Sequence, residues 1–250
     1  MMAIAVIISM SSCSKETSNA GDENLDPSTV IEFKDDNFRN ALLKVVEWIP
    51  THMDYRTLTM DIDQNRDGQI TIGEAMAATN ICVYNESVSD MEELKYFTSL
   101  EALNCDTNND LTDLDLSNNP KLKILECPYT GISELDLSNN KELVYLSCGA
   151  TDLTQLDLSG CPSLHTLYCA MNFYMTEITG ITVPVIEDYH LSLNNLKVLD
   201  LSSCTMIKSL DLNGNSSLQT IYLSEDCLIQ ENVFLKIFED CPDVEIQFIK

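Results

Sequence analysis

Between residues 100 and 163 the chain repeats one pattern three times, as LEALNCDTNNDLTDLDLSNNPK, LKILECPYTGISELDLSNNKE and LVYLSCGATDLTQLDLSGCPS, and LHTLYCAMN opens a fourth copy. The leading leucines, Leu100, Leu122, Leu143 and Leu164, lie 22, 21 and 21 residues apart. Each unit holds LxxLxC, a short turn, and then LxxLDLS. A unit this short cannot bury both of its leucine rows alone. Stacked units can, and stacking also pairs the strand backbone groups of one unit with those of the next. The pattern therefore predicts an elongated solenoid with a parallel sheet along one face.

The unit resembles the leucine-rich repeat, LxxLxLxxN, with Cys in the third apolar slot. The resemblance covers about residues 78–224 and is nearest in style to the short-repeat bacterial surface proteins of the internalin kind. It implies an α/β repeat solenoid, a curved right-handed coil with a cap at each end. The expected organisation is a signal segment at 1–13, an acidic tether at 14–30, a helical N-terminal cap at 31–77, repeats at 78–224 and a C-terminal cap at 225–250. Cys105, Cys127, Cys148 and Cys169 take the same inward slot, where a thiol behaves as a small hydrophobe. Nine cysteines remain besides Cys13, an odd number, so they cannot all pair within the chain. A reduced packing ladder is expected in preference to disulfides, because parallel side chains on stacked coils suit the disulfide dihedral poorly.

Residues beside the second leucine of LxxLxC should point outward. That places Ala102/Asn104, Ile124/Glu126, Tyr145/Ser147, Thr166/Tyr168, Val198/Asp200 and Thr220/Tyr222 on the concave face. Ile124, Tyr145, Tyr168, Val198 and Tyr222 would then form a partly apolar stripe suited to recognition. The step from Leu164 to the next full LxxLxL at Leu196 is 32 residues. It reads as a repeat with insertions, whose irregular loops at 170–195 contain Phe173, Tyr174, Met175, Pro184, Tyr189 and His190, with Phe173, Tyr174 and Tyr189 as further binding candidates. The LDLS motifs put Asp115, Asp136, Asp157 and Asp211 in one row, each expected to bond the turn that follows it.

One further motif occurs once. DQNRDGQITIGE, residues 63–74, fits the twelve-residue calcium loop D-x-[DN]-x-[DN]-G-x5-E. Asp63, Asn65 and Asp67 supply oxygens at the first, third and fifth positions. Gly68 permits the sharp turn, Gln69 offers its carbonyl, Thr71 stands at the ninth position, and Glu74 can close the site. The predicted cofactor is Ca2+. Before the loop, Phe38, Leu42, Leu43, Val46 and Trp48 have helical spacing, with Asp35 or Asp36 as N-cap. After it, AMAATN allows two helical turns at most before the first coil. This order resembles the N-terminal caps of bacterial leucine-rich repeat proteins. It suits a structural clamp better than a sensor, which needs a pair of helices. At the far end, Val233, Leu235, Ile237 and Phe238 predict a helix, followed by a strand over residues 244–249.

The chain carries 14 Lys+Arg against 40 Asp+Glu, a net charge of -26. Such a surface repels phosphate backbones, so no nucleic-acid partner is expected. The apolar run Met1–Met10 is too short to span a bilayer. Followed by MSSC, it resembles a bacterial lipoprotein signal in which Cys13 would carry the lipid. That resemblance implies an exported protein, lipid-anchored at the bacterial outer membrane or cell surface. No HExxH, GxSxG or phosphate loop is present, so an enzyme is not expected. The sequence reads as a non-enzymatic exported binding protein for a protein ligand. A glycan-binding accessory lipoprotein and a purely structural surface protein are the alternatives.

Overall fold

A computed structural model describes residues 25–50 and 57–250. Cys13, the signal segment and the tether up to residue 24 lie outside the described residues. The repeats form a parallel-sheet solenoid. Its principal face is a seven-stranded parallel sheet. In spatial order the strands are Asn80–Cys82, Ala102–Asn104, Ile124–Glu126, Tyr145–Ser147, Thr166–Tyr168, Asp188–His190 and Leu210–Asp211. Leu103, Leu125, Leu146, Leu167, Tyr189 and Leu210 pair in register across it. The opposite face carries two separate smaller parallel sheets, Gln155–Asp157 with Glu177–Thr179, and Val198–Leu201 with Thr220–Ser224 and then Glu245–Ile249. Both leucine rows point into the space between and are buried there.

The sheet order overturns the expected irregularity at 170–195. Leu196, Leu199 and Leu201 belong to the LxxLDLS side of their coil, because Val198–Leu201 lies on the opposite face. The fifth LxxLxL is Ile186, Tyr189 and Leu191, which follows Leu164, Leu167 and Cys169 by 22 residues. The sixth is Ile207, Leu210 and Leu212. Nothing is inserted. The 32-residue step arose from passing between the two faces of the coil. What disguised the fifth unit is Tyr189 in a leucine slot. Its ring is 1% exposed, and its hydroxyl donates to the Leu164 carbonyl at 2.7 Å. Tyr189 is core and no ligand contact.

From the second coil to the seventh, the coil closes on a buried polar residue three positions after the third apolar slot. Asn108, Asn172, Asn194 and Asn215 occupy it, with Thr130 and Thr151 between them, all buried. The Asn172 amide donates to the Cys148 carbonyl of the preceding coil at 3.0 Å, and its oxygen accepts from Thr151 N–H at 2.8 Å. Asn194 donates to Cys169 O and accepts from Asn172 N–H in the same way. Amides inside the solenoid thus satisfy turn groups that no strand can reach. The cysteines stand beside them. All nine in the described residues are free thiols, and all but Cys227 are buried. Burial pushes the Cys105 and Cys127 thiols well up, and Cys204 to about 12.

The N-terminal cap departs from a single helix. Helix α1 (Asp36–Leu42) ends early, and Val46 and Trp48 lie in strand β1 (Val46–Trp48), paired antiparallel with β2 (Leu58–Met60). Val45, Val46 and Trp48 favour a strand, and that preference wins once the helix terminates at Leu43. Asp35 is the N-cap. One carboxylate oxygen accepts from Asn37 and Phe38 N–H. The other accepts from Ser89 N–H, Ser89 hydroxyl and Asp90 N–H, which begin the segment leading to the second coil. Helix α2 (Ile72–Ala77) begins within the last residues of the 63–74 segment and opens with a Thr71–Glu74 capping box. At the other end α3 (Glu231–Asp240) buries Val233 and Ile237 over the last coil, while Leu235 and Phe238 stay exposed.

Candidate functional site

Outward residues of the seven-stranded sheet form one tier across successive coils. Asn104 donates to the buried carboxylate of Glu126 at 2.8 Å. Tyr145 and Tyr168 have ring centroids 5.9 Å apart, and Tyr168 stacks on His190 at 4.5 Å with 12° between the planes. The Tyr168 hydroxyl donates to Asp188 Oδ2 at 2.5 Å. His190 Nε2 lies 3.0 Å from Asp188 Oδ1, and its Nδ1 lies 3.8 Å from Asp211 Oδ2. Burial opposes ionisation of Asp188. The hydrogen bonds from Tyr168 and Ser209, with His190 alongside, outweigh it and hold the carboxyl below its usual range. Burial together with the Asp188 contact pushes the Tyr168 hydroxyl up. The tier is a braced aromatic platform bordered by carboxylates.

The expected stripe is only partly assembled. Ile124, Tyr145 and Tyr168 share the sheet. Tyr145 is 1% exposed, so it cannot offer a contact surface of its own, and it packs against the Tyr168 ring. Val198 and Tyr222 lie on the opposite face, where they help line a groove of about 480 Å³ with Glu177 and Asp200. Asp200, and not Asp211, continues the row of Asp115, Asp136 and Asp157. All four accept from the N–H two residues on at 2.9 Å, as their turn role requires. Phe173 and Tyr174 are 61% and 75% exposed on a turn. Asp188 and His190 were missed as members of the sheet. Their signal was the unbroken 21–22-residue spacing, hidden by Tyr189. Cys169 follows the strand Thr166–Tyr168 and is buried in the core, whereas His190 is part-exposed beside Tyr168 on the outer side of the sheet, so the two do not form a nucleophile–base pair.

In the 63–74 loop, Asp63 accepts from Gly68 N–H at 3.0 Å and Asp67 N–H at 3.3 Å. Asn65 accepts from Asp67 N–H, and Asp67 from Gln69 N–H, both at 2.8 Å. Gly68 takes φ 78°, which the sharp turn needs. Glu74 Oε2 accepts from Thr71 N–H and hydroxyl in the capping box. Among the described residues no three His, Cys, Asp or Glu side chains converge as a metal cluster. In this arrangement the Asp63, Asn65 and Asp67 side chains accept from the loop's own N–H groups, and Glu74 serves the helix start. Two arginines brace the loop, Arg66 to the Asp63 carbonyl at 2.7 Å and Arg39 of α1 to the Gly68 carbonyl at 2.6 Å.

No protein-family model matches the chain, and no curated protein matches it. Solved structures do. Internalin C2 of Listeria monocytogenes superposes with a TM-score of 0.51 at 18% identity, covering 87% of this chain and 94% of that one. Internalin F of the same organism gives 0.47 at 16% identity over 87% and 71%. The functional domain of InlJ from Listeria monocytogenes, which includes a cysteine ladder, gives 0.40 at 20% identity over 72% and 55%. The chain thus spans 55% of the length of that domain. The likeness to internalin C2 establishes the architecture: the protein has a leucine-rich repeat fold.

Proposed function

We propose that the protein is a non-enzymatic, exported binding protein that recognises a protein ligand through the outward tier of the seven-stranded sheet. The observation that carries this reading is the Tyr168–His190 stack, held by Asp188 on a rigid sheet. Large, half-buried aromatic rings in fixed orientation give contact area at little entropic cost, as interface anchors do. Buried thiols and braced carboxylates leave no activated nucleophile in this tier. The test is an array of extracellular proteins and polysaccharides, probed with wild type and with Tyr168→Ala/His190→Ala. Retention on proteins that the double variant loses supports the reading. Retention on polysaccharides alone would replace it with glycan recognition.

The same proposal includes a lipid anchor on Cys13 and a structural calcium ion. Asp63, Asn65, Asp67 and Glu74 would hold the ion, with the Gln69 carbonyl and Thr71 completing the set. The loop turn supports this, because its backbone already orients Asp63, Asn65 and Asp67. When bound, calcium would neutralise three carboxylates and stiffen the loop against α1, adding to the Arg39 contact. Palmitate labelling that is abolished by Cys13→Ala tests the anchor, and label persisting in that variant refutes it.

A further inference from the structure

After each strand of the seven-stranded sheet the backbone turns through a left-handed residue at the same repeat position. The row is Thr107, Tyr129, Ala150, Met171, Leu193 and Gly214, with φ between 51° and 79°. Backbone bonds lock it coil to coil, from Tyr129 N–H to Gly149 O, Met171 N–H to Ser192 O, and Leu193 N–H to Asn213 O. Gly, Asn and Asp adopt this conformation cheaply, and bulky apolar residues do not. Gly214 at one end of the row, and Asn85 at the equivalent turn of the first coil, follow that rule. Tyr129, Met171 and Leu193 break it. Burial does not compensate them, because they are 50%, 37% and 45% exposed. Phe173 and Tyr174, exposed further, stand two and three residues beyond Met171. Thr107 and Ala150 share the conformation, so the coil imposes it, and what the sequence adds at Tyr129, Met171 and Leu193 is a row of large, part-exposed apolar side chains.

We infer that this edge of the solenoid is a second docking surface, separate from the sheet tier, for a protein partner that presents an apolar patch bordered by Lys and Arg. Charge argues for that border. The turns carrying the row hold Asp106, Asp110 and Asp152 and contain no Lys or Arg, while Glu86 in the turn of the first coil is already paired with Lys44. A second copy of the chain, at net charge -26, would be repelled. The surface therefore takes a protein partner of opposite charge.

The test uses a short synthetic peptide that alternates Leu with Lys, and its counterpart with Glu for each Lys. They are titrated against wild type and against Tyr129→Asn/Met171→Asn/Leu193→Asn. Asn suits the left-handed position, so the triple variant should keep or raise the thermal midpoint. It should bind the Lys peptide at least tenfold more weakly than wild type, while Tyr168→Ala/His190→Ala binds it normally. A lowered midpoint would show that the row serves folding and would overturn the inference. So would a wild type that ignores the Lys peptide, equal affinity for the Glu peptide, or binding lost in the Tyr168→Ala/His190→Ala variant. A concentration-dependent dimer that the triple variant loses would assign the edge to a second copy instead.

Discussion

Asp35 joins two parts of the molecule that are distant in sequence, and replacing it should show how firmly. Its Oδ1 caps α1 and its Oδ2 accepts three bonds from Ser89 and Asp90. Asp35→Ala removes an N-cap, at about 1 kcal/mol. It also strands the donors of residues 89–90 at a partly buried site, at about 1 kcal/mol for each of the two backbone N–H groups even with some water access. The sum is about 3 kcal/mol, or roughly 6–12 °C in thermal midpoint for a chain of this size. Asp35→Asn keeps one acceptor oxygen but turns an amide toward the other set of donors, so about 2 kcal/mol of the loss should remain. The measurement is urea unfolding followed by circular dichroism, with amide exchange resolved at residues 35–43 and 88–97. Burial would raise the Asp35 pKa, but the hydrogen bonds from Ser89, Phe38 and Asp90 outweigh it and leave the pKa lowered. A depressed folded pKa means stability that is present above about pH 3.9 and lost as pH falls through the folded value. The gap between wild type and Asp35→Asn should therefore narrow in strong acid. An alanine variant within about 0.5 kcal/mol of wild type, the usual scatter of surface substitutions, would refute the argument. So would an asparagine variant indistinguishable from wild type.

Other outcomes follow from the core and the loop. Tyr189→Phe should cost about 1–2 kcal/mol by leaving the Leu164 carbonyl unpaired, and Tyr189→Ala about 3–5 kcal/mol, both read from denaturant midpoints. Asn172→Ala should lower stability by about 2 kcal/mol, since Thr151 N–H loses its buried partner while Cys148 O keeps the Thr151 hydroxyl. A thiol reagent should modify Cys227 first and reach the buried cysteines only after unfolding, which mass spectrometry of the labelled peptides would check. Calcium at a hundredfold excess over a dissociation constant on the order of 10⁻⁴ to 10⁻³ M should raise stability by roughly 2.7 kcal/mol. Asp63→Ala/Glu74→Ala should abolish that rise, and an unchanged melt with and without chelator would remove calcium from the proposal.

The leucine and cysteine slots were legible because their chemistry repeats, and they placed the first strands of the main sheet correctly. Tyr189 was not legible as core. A tyrosine fits a leucine slot only where its hydroxyl finds a carbonyl, and that is a fact of the third dimension. The error spread from there, because the next leucine triplet along the chain belongs to the other face. Leucine spacing alone thus groups Val198 and Tyr222 with Tyr168 and assigns residues 188 and 190 to a loop. The asparagines were readable from the LxxLxLxxN pattern itself. The β1–β2 hairpin was not, since Val46 and Trp48 satisfy helical spacing and strand propensity alike.

The buried amides also set where the solenoid is weakest. Asn119 reaches back to Leu94 O and Phe97 O, and Asn140 to Asn119 O. From Asn172 onward the other row takes over. The coil at residues 143–163 contains no asparagine. There Thr151 hydroxyl reaches only its own coil's Cys148 O on that side, and Cys161 makes a 3.8 Å thiol contact to Leu137 O. Among the described residues, no amide side chain of that coil ties it to the one before. A solenoid transmits cooperativity only through such neighbour contacts. Strand pairing and turn backbone bonds still join the two coils, so under force or heat the expected first opening at this junction would leave an N-terminal block that includes the cap and a C-terminal block that holds Tyr168 and His190.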